Sequence, residues 1–425
     1  MAIGADGLAV HEENNMRMNA FVAGVGMTRF GKHLETGLKA LGAEAVQAAL
    51  ADAGIAARDL EAAYVGNAMA GLITGQECVR GQVILRSMGI GRIPVINVEN
   101  ACGSGSTAFN QACAMVSAGC YDVVLVLGIE KLYHPDKRRT FAALAGGMDI
   151  EEMETSLARF QADQTPGAGG AKGEEAGAKR SVAMDFYASV ARAHMRQYGT
   201  TLTQLAGVSA KNSFHGSLNP RAQFREVMTI EEVLAAPMII EPLTRPMCSP
   251  IGDGAAAVVV VSERKARELG STRLVRVAAS ALHSGWDHEA GELDTASLCA
   301  QEAYAQAGLG PKDLSVMEVH DASAIAELSA YESLGLCAKG SGGRLIDEGV
   351  TRLGGRLPVN TSGGLLRKGH PVGATGAAQI VELTEQLQGR CGKRQVEDAK
   401  VALAHNGGGV VGREAASMCV TILVR

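Results

Sequence analysis

No apolar run in the 425 residues is long enough to span a bilayer. The best, Val123 to Ile129, has the length of a strand. There is no excess of basic charge either: 40 Lys+Arg against 45 Asp+Glu leave a net charge of −5, so nothing calls for nucleic acid. The nine cysteines include no CxxC and no Cys/His metal spacing. That reads as reduced thiols in a cytoplasmic protein, with no metal site and no bound cofactor. No GK[ST] follows a glycine-rich loop, and in "GVGMTR" Arg29 stands where a dinucleotide fingerprint needs glycine. Residues 1–18 lack an apolar core, so they read as a loose tail and not as a secretory signal. Aromatics make up only 4% of the chain, whereas glycine occurs 53 times. Close backbone packing and tight turns are therefore expected in place of aromatic cores. The length suits two or three fused units.

The chain repeats itself. "LADAGIAARDLEAAYVGNAMA" and "YAQAGLGPKDLSVMEVHDASA" align Ala53-Gly54-Ile55 with Ala307-Gly308-Leu309, and Asp59-Leu60 with Asp313-Leu314, at one constant offset. Each copy predicts an apolar-periodic helix, a glycine stop, a loop and a strand. In the first helix Leu38, Leu41, Ala45, Val46, Ala49 and Leu50 share a face. "IPVINVENACGSGSTAF" and "LPVNTSGGLLRKGHPVGATG" both read as strand, glycine-rich turn and helix. "YDVVLVLGIE" and "AKVALAHNGGG" both read as buried strands. The pattern predicts a duplicated α/β domain. The expected units are a first half over 19–270 and a second over 271–425. Between about 131 and 245 the pattern breaks, which predicts an inserted lobe over the α/β layers, with helices near Met184–Gln197 and Thr203–Phe214. Within it, Thr165–Ser181 is poor in large apolar residues and is expected to be a mobile loop.

Four stretches carry candidate chemistry. In "ENACGSGSTAF", Cys102 follows a strand and opens a helix. A thiol there feels the helix dipole and nearby N–H groups. At its ordinary pKa it is only a few per cent thiolate at neutral pH, so a lowered pKa and a neighbouring base would make it a nucleophile. A buried structural cysteine is the alternative, as assumed for Cys113, Cys120 and Cys419. In "NTSGGLLRKGHPVGATG", His370 lies among Gly363, Gly364, Gly369, Gly373 and Gly376. Rigid turns on both sides suit a general base, and the repeat puts His370 at the same strand-to-helix edge as Cys102. In "LAHNGGGVVG", His405 and Asn406 enter Gly407, Gly408 and Gly409, whose N–H groups can stabilise an oxyanion. In "VEVHDASA", His320-Asp321 ends a strand, with helix capping as the plainer part for Asp321.

Together and in this order, these stretches resemble the thiolase superfamily from about Asn19 onward. The motif NxxGGxxxxGHPxGxTG fits at Asn360, Gly363, Gly364, Gly369, His370, Pro371, Gly373, Thr375 and Gly376. The resemblance implies a thiolase-like α/β fold, with two duplicated αβαβα halves and an inserted loop domain. His320-Asp321-Ala322 and His405-Asn406-Gly407 look like the sterol-carrier-protein-type branch. Neither usual place for a second catalytic cysteine holds one: Ala322 and His405 stand there. The implied reaction is thiolysis or formation of a 3-oxoacyl-CoA, with coenzyme A as substrate. Cys102 would carry the acyl group and His370 take the thiol proton. His320 and His370 would polarise the thioester oxygen, and the N–H groups of Cys102 and the Gly407–Gly409 loop would hold the other oxyanion. His405 would take over the missing cysteine's proton exchange. Asn360, Asn406 and Gly373 join the expected substrate-binding set.

The resemblance also implies at least a homodimer. Relatives with a His-Asp-Ala box often work with a small OB-fold/zinc-ribbon partner, some of them on aromatic acylsuccinyl-CoA substrates. Two other functions compete. One is a retro-aldol lyase that does not use the cysteine, against which the intact ACGSG stretch and His370 argue. The other is a non-catalytic acyl-CoA or lipid-binding subunit; with the chain ending at Arg425, no separate sterol-carrier domain is expected to follow. Within the lobe, Met184, Phe186 and Phe214 either line a pocket or form a core, and Trp286 has no assigned part.

Overall fold

A computed structural model describes residues 18–162, 180–289 and 291–425. The expected tail up to residue 17, and the low-apolar segment over 165–179, lie outside the described residues. Nine strands form the main sheet: β1 (Ala20–Met27), β2 (Ala62–Gly66), β3 (Val95–Val98), β4 (Val123–Glu130), β5 (Gly254–Ser262), β6 (Val275–Ser284), β7 (Val316–Glu318), β8 (Val401–Gly408) and β9 (Ser417–Val424). Their order is β3-β2-β4-β5-β1-β6-β9-β8-β7. The halves join where β1 pairs antiparallel with β6, through Ala20–Val22 against Val275–Val277. Both halves use one order, since β2–β4 and β7–β8 are parallel while β4–β5 and β8–β9 are antiparallel. The second half departs from expectation at "LPVN". Where the first half has β3, only Val359 bridges Met317, and no strand forms.

Seven helices position the site: α1 (Leu38–Ala53), α2 (Ser104–Ser117), α3 (Ala183–Tyr198), α4 (Leu202–Ser217), α5 (Thr295–Ala307), α6 (Ala324–Ser333) and α7 (Thr375–Leu387). The repeated stop is a conformational requirement. Gly54 and Gly308 end α1 and α5 at φ 65° and 66°. Ile55 and Leu309 then donate back to Leu50 and Tyr304 carbonyls, the Schellman closure that a left-handed glycine allows. Asp59 and Asp313 each accept from the backbone three residues earlier, which fixes the loop into the next strand.

Alternation along the strands sets the layers. In β4, Val123, Leu125, Leu127 and Ile129 pack under α1, whereas Val124 and Val126 face the interior helices. In β5, Ala255, Ala257, Val259 and Val261 take the outer side and Ala256, Val258 and Val260 the inner. In the second half Leu403, Val420 and Ile422 pack outward with α5, α6 and the lobe helices α3 and α4. Between the sheet halves lie α2 and α7, giving the α-β-α-β-α stack. Cys113 and Cys419 are buried as assumed, but Cys120 is exposed, because it sits in the turn after α2. No helix among the described residues is long and apolar enough to cross a membrane.

The two inner helices meet through glycine. A Cβ on Gly376 would lie 2.4 Å from Ser106 N, and one on Gly105 would lie 2.9 Å from Ala377 N. These are backbone neighbours that cannot swing away. The lobe is tied to the second half by a buried network. Lys211 of α4 lies 2.5 Å from Glu327 of α6, and Asn212 donates to Asp321 and Glu327 at 2.8 and 2.7 Å.

Gly376→Ala is expected to destabilise the protein by about 1–3 kcal/mol, the usual cost of overpacking. The control is Gly37→Ala, which meets nothing within 4 Å. Urea midpoints of the two variants check this, and equal midpoints would sink the account.

Candidate active site

Cys102 lies in a single tight turn, Ala101–Gly103, immediately ahead of α2. Ala101 holds φ 47°, which turns the chain sharply and presents the thiol. The turn is built close against the Gly407–Gly409 loop. A Cβ on Gly408 would lie 2.1 Å from Asn100 O and 2.4 Å from Gly103 N. Burial pushes the Cys102 thiol up to about 12, with the N–H groups of Gly409 and Cys102 opposing the shift and Glu130 adding to it. The expected lowering at the helix start is therefore overridden by desolvation. The thiol stays protonated at rest, so a base is required.

His370 supplies one. Its Nε2 lies 3.3 Å from Cys102 Sγ, across 268 residues of sequence. Its Nδ1 lies 2.7 Å from Thr375 Oγ1, and that hydroxyl donates to Pro371 O at 3.1 Å. Thr375 has one proton and spends it on the carbonyl, so it accepts from Nδ1–H and leaves the Nε2 lone pair facing the thiol. Burial, then the charge of Lys368, lowers His370 to about 3. Lys368 is itself held by Glu318 at 3.2 Å in the interior. The resting pair is a neutral thiol against a neutral imidazole.

His320 faces His370 edge-on, with ring centroids 5.3 Å apart. Asn406 Nδ2 donates to its Nδ1 at 2.9 Å, and Ser106 Oγ orients the amide by donating to Asn406 Oδ1 at 2.7 Å. The His320 proton is thereby placed on Nε2. Burial and the neighbouring histidines keep the ring neutral by lowering its pKa. His320 is thus a hydrogen-bond donor beside the thiol, and Asn406 acts through it.

His405 takes a different part from the one its motif position suggests. Its Nδ1 accepts from the backbone N–H of His320 at 3.4 Å, and its buried Nε2 has no partner. An imidazolium would set Nδ1–H against that N–H. Burial lowers His405 to about 4. It is a neutral Nε2–H donor, poorly suited to exchanging protons with carbon.

Two expected binding residues belong to the framework. Asn360 is fully buried behind the site, accepting from Val319 N at 2.8 Å and donating to Glu327 at 2.7 Å. Gly373 occupies the second half's counterpart of the Cys102 turn and donates to Glu130 at 3.0 Å. A Cβ there would strike Asn67 and Ile129. Both are misassigned from sequence because motif residues that shape a loop look the same as those that face the ligand. Asp321 caps the turn Gly364–Arg367, accepting from Leu365 N at 2.7 Å and Leu366 N at 3.3 Å.

Cys102, His320, His370, His405 and Gly407–Gly409 open onto one cavity of about 750 Å³. Its wall is largely apolar, and the lobe supplies Phe141, Met148, Met184, Phe186, Tyr187 and Val190. Met184 and Phe186 are therefore lining residues, whereas Phe214 and Trp286 are exposed. Donor atoms of Cys102, His320 and His370 lie within 4.8 Å of one another, close enough to hold a cation. Glu382, Glu385 and Cys391 form a second such group, but Arg394 already pairs with both carboxylates.

With the thiol at about 12, its reactivity at neutral pH depends on His370. His370→Ala should slow iodoacetamide labelling of Cys102 by roughly 100-fold, the scale of general-base help. Exposed Cys78 and Cys120 serve as internal references, and unchanged Cys102 labelling would refute the dependence. A second expectation concerns stability. His370 and His405 sit near 3 and 4 when folded, against about 6.5 when unfolded. Between those values the unfolded chain binds more protons, so stability falls as pH drops below about 6.5. Urea midpoints at pH 7 and 5 should show the fall, and His405→Gln should reduce it.

Residues 20–264 match the family described as "Thiolase, N-terminal domain", and residues 281–423 match "Thiolase C-terminal domain-like". The chain is 40% identical over 400 residues to an acetyl-CoA acetyltransferase of Methanothermobacter thermautotrophicus, covering 93% of this chain and 97% of that one. It is 36% identical over 403 residues to the benzoylsuccinyl-CoA thiolase subunit BbsB of Thauera aromatica, covering 93% and 96%. Among solved structures, the Ltp2-ChsH2(DUF35) aldolase superposes with a TM-score of 0.75 at 27% identity, covering 96% of this chain and 97% of that one. With both halves matched in order around a paired cysteine and histidine, this chain belongs to the thiolase family.

Proposed function

We propose that the protein is a thiolase-type acyltransferase that cleaves or forms a 3-oxoacyl-CoA through an acyl group on Cys102. The observation that carries this reading is the 3.3 Å contact of His370 Nε2 with Cys102 Sγ. In the cleaving direction, Sγ attacks the 3-oxo carbon and its proton passes to His370 Nε2. The N–H groups of Cys102 and Gly409 act on the Cys102 sulfur, which puts them beside the carbon it attacks and able to turn to the oxyanion that develops there. The C2–C3 bond then breaks, leaving the acyl group on Sγ and an acetyl-CoA enolate, whose oxygen the Nε2–H groups of His320 and His405 can hold. C2 is protonated and acetyl-CoA leaves; the thiol of coenzyme A then attacks the acyl-enzyme and gives up its own proton, which balances the one taken up by C2. Acyl-CoA is released, and Cys102 recovers its proton from His370.

The cavity supports an acyl group larger than acetyl. Its volume suits a drug-sized ligand, and its aromatic and Met-rich wall would favour a medium-chain or aromatic 3-oxoacyl group. A partner subunit fits the names of two relatives: one is called a subunit, and the other was solved as a pair with ChsH2(DUF35). A homodimer completes the expected assembly. The aldolase name of that structural neighbour favours a second reading, retro-aldol cleavage, which would leave Cys102 idle.

Intact mass after incubation with acetyl-CoA, followed by peptide mapping, tests the leading reading. An acetyl group is expected on Cys102 and not in Cys102→Ala. Cleavage should also require free coenzyme A for turnover. Cleavage that proceeds without coenzyme A, with Cys102 unlabelled, would establish the aldol reading instead.

A further inference from the structure

Three soft donor atoms converge where Cys102 meets the second half. Those of Cys102, His320 and His370 all lie within 4.8 Å of one another, and Cys102 Sγ is already 3.3 Å from His370 Nε2. Around a tetrahedral zinc ion, a sulfur and a nitrogen ligand lie roughly 3.5 Å apart and two nitrogens roughly 3.3 Å apart. The longest edge of the trio therefore has at most about 1.5 Å to close. Thiolate and imidazole select zinc-like cations over magnesium and calcium, which prefer oxygen. No metal spacing marks the trio in the sequence, because Cys102 and His370 come from turns 268 residues apart.

We propose that Cys102, His320 and His370 form a binding site for a zinc-like divalent cation, and that a cation held there switches off acyl transfer reversibly. The switch, though not the binding, rests on the Cys102 acyl-enzyme reading. Such a cation takes the sulfur that carries the acyl group and the Nε2 lone pair that deprotonates it. Three protein ligands leave a fourth position, which water from the cavity fills. The other group of this kind among the described residues, Glu382, Glu385 and Cys391, has both carboxylates taken by Arg394.

The surroundings suit each ligand. His370 donates from Nδ1 to Thr375 Oγ1 at 2.7 Å, and that hydroxyl donates to Pro371 O at 3.1 Å, so Nε2 presents its lone pair. Metal-binding imidazoles carry the same kind of outer hydrogen bond. His320 needs one change. Its Nδ1 is turned to Asn406, so Nε2 is the atom left to coordinate, and at rest Nε2 holds the proton. When Nε2 binds the cation, the proton moves to Nδ1 and the Asn406 amide turns over. Oδ1 then accepts from His320 Nδ1–H, and Nδ2 donates to Ser106 Oγ across the present 2.7 Å contact. Ser106 keeps an acceptor for its own proton in Gly103 O, at 2.9 Å. No hydrogen bond is lost in the exchange. Charge and protons balance: Cys102 gives its thiol proton to solvent, both histidines stay neutral, and the dication becomes a singly charged complex.

The test uses the full-length, reduced chain, stripped of metal by a chelator that is then removed. Co²⁺ is titrated as a coloured stand-in for Zn²⁺. One equivalent is expected to give a near-ultraviolet thiolate-to-cobalt charge-transfer band, absent in Cys102→Ala and kept in Cys391→Ser. Asn406→Ala, which removes the partner of His320, should weaken Zn²⁺ binding roughly 10–100-fold. In the unaltered chain, Zn²⁺ at about ten times its Kd should slow iodoacetamide labelling and acetyl-CoA acetylation of Cys102 roughly tenfold, the fraction left without cation. Exposed Cys78 and Cys120 should label as before, and a chelator should restore both rates at Cys102. No band, a band that survives Cys102→Ala, or an affinity untouched by both Asn406→Ala and His320→Ala overturns the site. Binding that leaves acetylation at its original rate overturns the switch. A metal-free chain that never acetylates Cys102 sinks the acyl-enzyme reading instead, while the band and the labelling still decide the cation site.

Discussion

The crossing of α2 and α7 at Gly105 and Gly376 is the constraint from which the site follows. Backbone meets backbone there at distances no side chain tolerates. Because each helix begins right after its half's glycine-rich turn, the crossing brings both turns to one point. Cys102 opens one helix, His370 precedes the other, and the two side chains meet although neither half contains both. The same approach stacks Ser106 on Asn406, which in turn orients His320. Duplication supplied two similar edges, and glycine lets them touch.

Burial sets the electrostatics of what meets there. Desolvation raises the thiol and lowers the histidines, so the resting site holds neutral groups. Fixed charges lie one layer back. Glu130 accepts from the backbone of the loop after β2, through Ala68 and Met69, and of the turn after His370, through Gly373, and Lys368 with Glu318 braces the strand side of the His370 loop. A neutral site surrounded by anchored dipoles favours charge only as the reaction creates it, which suits attack by a thiol whose base sits within reach.

The lobe contributes differently. Its helices add nothing to the main sheet, yet they form much of the cavity wall and are bolted to α6 through Lys211, Asn212 and Glu327. Rigid halves thus supply the reacting atoms, and the lobe supplies the shape of the acyl pocket. Asp321 stands at their junction, capping a turn of the second half while accepting from Asn212 of the lobe.

The sequence by itself determined the duplicated halves, the edge at which each motif lies, and the pairing of Cys102 with His370. Those are local signals: a glycine stop after an apolar helix, an apolar run of strand length, and a contiguous motif around one histidine. It also marked Met184 and Phe186 as pocket or core without deciding between them. Tertiary structure alone decided which motif residues face the cavity. Asn360 and Gly373 look like their neighbours in the chain but serve the framework, Cys120 escapes burial, and "LPVN" yields one bridge in place of a strand. It also decided the tautomers of three histidines and the direction of the Cys102 shift. Each of these depends on which distant group packs against an atom and how much water that removes, and residues hundreds of positions apart leave no periodic trace of that in the chain.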